Sequence, residues 1–91
     1  MRVTYDPSKS SRNEELRGLP FELAKQFDWS CAQIVEDTRK DYNEQRFEAL
    51  SYIGEHLHVM VFTPRDGAVH VISLRRANRR ERTRYAAQAQ P

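Results

Sequence analysis

The strongest constraint on this chain is a pair of apolar runs joined by four polar residues: HLHVMVFT, PRDG, AVHVISLR, residues 56–75. Asp-Gly between two such runs signals a tight antiparallel hairpin. A hairpin alone is marginal in water, so its apolar faces need further strands and covering helices. The chain has 91 residues, enough for one small domain, 1–91, built as a single sheet with a few helices against it.

The remaining segments supply those elements. RVTY (2–5) reads as a short strand. Asp6 is a helix N-cap, Pro7 suits the first helical position, and Gly18 can end that helix. LPFELAKQFDW (19–29) reads as a second helix, with Phe21, Ala24 and Phe27 on one side and Leu23 widening the stripe. CAQIVEDTR (31–39) is expected as a strand, KDYNEQ as a polar turn, and RFEALSYIG (46–54) as an alternating strand. ANRRERTRYAAQA (77–89) reads as a closing helix, with Asn78 as cap and Glu81 three residues on as its capping-box partner. Residues 86–91 are expected to fray. The expected fold is α+β: a small twisted antiparallel sheet, two N-terminal helices and a C-terminal helix.

Apolar residues make up 38% of the chain and charged residues 31%, but the apolar ones fall in periodic runs, which argues against disorder. No run is long enough to span a membrane, and the N-terminus lacks the apolar stretch of a signal peptide, so a cytoplasmic protein is expected. The lone Cys31 excludes an internal disulfide, and no Cys/His spacing suggests a metal site. Charge is uneven. Residues 1–63 carry 8 Lys/Arg and 11 Asp/Glu, net −3; residues 64–91 carry 7 Arg and 2 acids, net +5. That imbalance suggests a local anion-binding surface.

Candidate chemistry lies in those arginines and in the histidines. Arg75 ends the last strand, Arg76 points to its other side, and Arg79 and Arg82 sit three apart on the closing helix. Arg65 lies in the hairpin turn and Arg46 opens a neighbouring strand. Guanidinium groups hold phosphate through paired hydrogen bonds and keep their charge, which suits gripping RNA or stabilising a transferring phosphoryl group. The plainer reading of each is a solvated or ion-paired surface residue. His58 and His70 stand on strands of one hairpin and meet if the register allows, for acid–base chemistry; otherwise each is a hydrogen-bonded strand residue. Tyr85 either stacks on a base or packs on the sheet. Glu81 either orients an arginine or only caps its helix. Lys9 and Arg17, on the first helix, are further phosphate-binding candidates.

The ordered motifs resemble the BrnT family of bacterial toxins. YDPSKSSRN resembles its opening, and GLPFELAKQFDW its Gly-x-x-Phe-x-x-Ala-x-x-Phe helix. RFEALSYIG and HLHVMVFTPRDG match its central strands. VISLRRANRRERTRY resembles its ending, Ile-Ser-x-Arg, a basic residue, Ala, then Arg-Glu and a tyrosine. One departure is plain: Leu16 and Arg17 stand where many members have Lys-His, so no proton-transfer role carries over there.

The resemblance implies a RelE/ParE-like toxin fold and metal-independent endoribonuclease activity, without cofactor, that inhibits translation. It also implies a BrnA-like ribbon-helix-helix antitoxin, with operator DNA reached only through that partner. From the charge and strand pattern, and not from the resemblance, Arg46, Arg65, Arg75 and Arg79, with His58, form the expected catalytic set. Lys9, Arg17, Arg76, Arg82, Tyr85 and His70 are expected to contact RNA. The rival expectation is a non-catalytic toxin serving as a binding module in an autorepressor complex.

Overall fold

The computed structural model describes residues 2–89. The Asp-Gly hairpin forms and the sheet grows outward from it. Strands β4 (His56–Arg65) and β5 (Ala68–Arg76) pair antiparallel around a two-residue turn, Arg65 opposite Ala68. Asp66 and Gly67 both take positive φ, 52° and 75°, the conformation such a turn demands. Arg65, expected in the turn, is therefore the last residue of a strand.

On the other side of β4 lies β3 (Phe47–Ile53), followed at the edge by β2 (Gln33–Glu36). At the opposite edge β1 (Val3–Tyr5) pairs with β5, giving the order β1-β5-β4-β3-β2. The β1–β5 pairing is parallel, so the expectation of a wholly antiparallel sheet is corrected. A hairpin announces itself through its turn residues; a pairing between Thr4 and His70, 66 residues apart, has no local signature.

Helix α1 (Pro7–Arg17) starts where Asp6 accepts the Ser8 amide and ends at Gly18, φ 71°, whose N–H donates to Glu14 O. It is polar almost throughout and is fastened by hydrogen bonds. Asn13 Nδ2 donates to Leu19 O at 2.7 Å and Leu74 O at 2.9 Å, and Ser10 Oγ accepts the buried Phe21 amide at 2.8 Å.

The second expected helix is not α-helical. Phe21–Gln26 and Trp29–Cys31 are two 3-10 segments, and Phe27 between them is extended. Pro20 supplies no side-chain cap, and six residues are too few to sustain an α-helix unaided. The 3-10 form has three residues per turn, so spacing of three aligns side chains directly. Phe21 and Ala24 are accordingly both buried, and the extended Phe27 just beyond the segment is buried too, while Leu23 is only half-buried.

Strand alternation gives the sheet two unlike faces. One is roofed: Phe21, Ala24 and Phe27 close over Ala49, Ile53, Met60, Phe62, Val69, Val71 and Leu74. Edge-on contacts link Phe27 to Trp29 and Trp29 to Phe62, and Phe62 stacks on Phe47. The other face is covered at one end only, where Ala77 and Tyr85 meet Leu50, Leu57 and Val59. Tyr85 belongs to α2 (Arg79–Ala89), which continues through residues expected to fray; Gln90 and Pro91 lie outside the described residues. Beyond Val59 no helix among the described residues covers this second face: Val61, His70 and Ser73 are half-buried, while Thr63 is buried with its hydroxyl donating to Gln45 O at 2.7 Å. A bulge at Ile72 interrupts the β4–β5 ladder there, since Val61 faces Ser73 and Phe62 faces Val71.

Candidate functional site

Arg75 pairs opposite Val59, so it leaves β5 on the open face, at the rim of α2. There it meets Glu81 in a two-pronged ion pair, Nη1–Oε1 and Nη2–Oε2 both 2.8 Å. The same carboxylate accepts the Asn78 amide at 2.9 Å while Asn78 Oδ1 accepts the Glu81 amide at 2.8 Å, a complete capping box. The Arg75 hydrogen bonds are the main cause that brings the Glu81 carboxyl down to about 2, against the opposing effect of burial. One acid thus starts the helix and aims the arginine.

A second cationic group lies farther along the same face. Thr63 pairs with His70, and Arg65 follows two residues on, so His70 and Arg65 share a side with Val61 and Ser73. Arg46 precedes β3 and stands by alternation on the same side as Glu48 and Leu50. Glu44 ties this group together, reaching Arg46 at 3.3 Å and Arg65 at 3.1 Å. The Tyr42 ring lies under the Arg46 guanidinium, 4.0 Å from its centre.

His70 is half-buried, with Nδ1 2.8 Å from Thr4 Oγ1 on β1. Burial, then the nearby Arg65 charge, push its pKa below the ordinary 6.5, so the neutral ring prevails near pH 7. On β4 the partners of His70 and Arg75 are four residues apart, placing the two groups about 13 Å from each other along the strand. Val61 and Ser73, both half-buried, floor the gap. The face thus offers ion-paired guanidinium groups at both ends and a neutral imidazole at one.

A family model described as "Ribonuclease toxin, BrnT, of type II toxin-antitoxin system" matches residues 5–81. The chain belongs to the BrnT family. A search of curated proteins and one of solved structures found no match. BrnT membership makes RNA the substrate class, ribonuclease the activity and an antitoxin the partner. Among the described residues no helix is long and apolar enough to cross a membrane.

The structure gathers only part of the expected site residues. Arg46, Arg65, Arg75 and His70 share the open face. His58 stands on the opposite side, where it pairs with Ser51 and Arg76; it is buried, and its Nδ1 lies 2.7 Å from His56 O. The two histidines therefore do not meet. Arg76 follows His58 to that side and donates to His56 Nδ1 at 3.0 Å. Tyr85 is buried, its hydroxyl donating to Cys31 O at 2.7 Å, and burial pushes its pKa up to about 12; the sheet holds the ring that was a candidate for base stacking.

Arg82 turns back to donate to Ala77 O at 2.9 Å. Arg79 is exposed on the first turn of α2, and Lys9 and Arg17 are exposed on α1. Three contributors went unnoticed in the sequence. Glu44 hid in a polar turn, although its spacing from Arg46 hinted at an ion pair. Thr4 and Tyr42 reach the site only through the fold.

Proposed function

We propose that this BrnT-family chain is a metal-independent endoribonuclease whose open sheet face binds RNA. Arg46 and Arg65 hold the scissile phosphate near His70, and Arg75 holds a neighbouring phosphate of the same strand. A 2′-hydroxyl attacks the phosphorus while His70 Nε2 takes its proton, Thr4 orienting the ring through Nδ1. The 2′-O–P bond forms as the P–O5′ bond breaks. The products are a 2′,3′-cyclic phosphate and a 5′-oxygen that takes its proton from water.

Arginine charge stabilises the crowded, doubly negative phosphorus in the transition state. The groups are pre-aimed by Glu44 and Glu81, so little reorganisation accompanies the reaction. In this reading the sheet with a helix across one end is the RelE/ParE-like platform that the resemblance implies. The toxin acts in the cytoplasm to inhibit translation. A BrnA-like ribbon-helix-helix antitoxin neutralises it and carries any contact with operator DNA.

The observation that carries this reading is the convergence of Arg46, Arg65 and His70, with one carboxylate between the arginines, on the uncovered face. The test is cleavage of RNA by purified protein with mapping of the new ends. Arg65→Ala and His70→Ala should each lower turnover about 100-fold or more, with circular dichroism unchanged. Excess chelator should leave the wild-type rate intact. Full activity in both variants would remove the open face from the reaction. Activity lost to chelator and restored by magnesium would replace the mechanism.

A further inference from the structure

One side of α1 forms a second cationic region that the cleavage chemistry does not use. Lys9, Arg12, Asn13, Leu16 and Arg17, with Phe21 and Ile72, line a groove of about 240 Å³ between the helix and β5. The groove exists because Asn13 is drawn onto the Leu19 and Leu74 carbonyls, which pins the helix beside the strand edge where β1 has ended. Its floor is apolar, Phe21 and the bulge residue Ile72. Leu16 at its rim is 75% exposed, a large apolar side chain on an otherwise polar helix.

Lys9, Arg12 and Arg17 make no salt bridge among the described residues. No acid lines the groove, and Glu14 and Glu15 of the same helix do not contribute to it. Three uncompensated cations around an apolar slot call for a ligand with negative charge and an apolar side chain. The volume lies below the roughly 300 Å³ where small-molecule pockets begin, and suits a side chain or two. RNA would answer the charge but leave Leu16 and the apolar floor without purpose. A second copy of the groove would oppose like charges across the contact.

We propose that the α1–β5 groove is the docking site for an acidic, amphipathic segment of the antitoxin. One apolar side chain of that segment enters between Leu16, Phe21 and Ile72. Its flanking carboxylates pair with Lys9, Arg12 and Arg17. The proposal rests on the toxin–antitoxin membership and is read by binding, so it stands or falls apart from the cleavage chemistry.

The test uses the protein co-produced with its cognate antitoxin and the two components measured separately by calorimetry. The variant Arg12→Glu/Leu16→Gln changes two exposed side chains and should melt within a few degrees of wild type. It should bind the antitoxin on the order of 100-fold more weakly. Its RNA cleavage should be unchanged without antitoxin and should persist when antitoxin is added. Antitoxin affinity equal to that of wild type would overturn the proposal. Loss of cleavage in the antitoxin-free variant would overturn it too, and would make the groove an RNA subsite.

Discussion

The molecule holds its positive charge in two different ways. On the open sheet face each arginine is clamped: Arg75 by Glu81, Arg46 and Arg65 by Glu44. On α1, Lys9, Arg12 and Arg17 have no carboxylate partner among the described residues. A clamped guanidinium has already lost its freedom, which suits the catalytic role proposed for that face. An unclamped cation keeps both its freedom and its unanswered charge, which is useful for holding an anionic partner. Total charge would have ranked the two regions alike; the placement of acids separates them.

The largest effect that can break this contrast is in catalysis. The double variant Arg46→Ala/Arg65→Ala should cut RNA on the order of 1,000-fold more slowly, whereas Arg12→Ala should cut within a few-fold of wild type. Equal loss in both would erase the distinction, and a single-turnover assay decides. Next comes stability. Glu81→Ala removes a cap and leaves Arg75 unpaired, so it should cost about 2–3 kcal/mol in denaturant melts. The exposed bridges of Glu44 should cost less than about 1 kcal/mol when Glu44→Ala breaks them.

Acid should sharpen the contrast further. A histidine whose pKa is lowered by the fold stays neutral there while the unfolded chain takes up a proton, so stability falls as pH drops below 6.5. His58 and His70 both act in this direction. Glu81 adds a second loss as pH falls from 4.5 through about 2, since its folded carboxyl is the stronger acid. Cleavage should decline together with the first step if His70 is the base, and His70→Gln should remove that pH dependence from whatever rate survives. The smallest effect is expected at Arg80, exposed on α2: Arg80→Ala should alter stability by less than about 0.5 kcal/mol and leave cleavage unchanged.

What the sequence discloses about this fold depends on how local the cause is. The Asp-Gly turn, the Asp6 and Asn78 caps and the Gly18 stop are written within three or four residues, and all of them form. The Phe21–Ala24–Phe27 spacing is legible too, but a spacing of three fits an α-helical stripe as well as a 3-10 turn, and Phe21–Gln26 takes the 3-10 form. For the site, alternation alone separates Arg75 from Arg76. It could not separate His58 from His70, because the bulge at Ile72 and the β4–β5 register decide which ring faces which side. Tyr85 shows the reverse ambiguity: one tyrosine after an arginine run fits a base platform and a core anchor equally, and only the Cys31 carbonyl within reach of its hydroxyl decides.

The parallel edge also sets an order of assembly. β1 is synthesised well before its partner β5, so β1 must wait for the more than sixty residues between them. The Thr4–His70 contact cannot exist in a nascent chain that stops before residue 70, and the Arg75–Glu81 clamp cannot exist before residue 81. A fragment that stops before residue 81 would therefore carry the arginines without the carboxylate that orients Arg75.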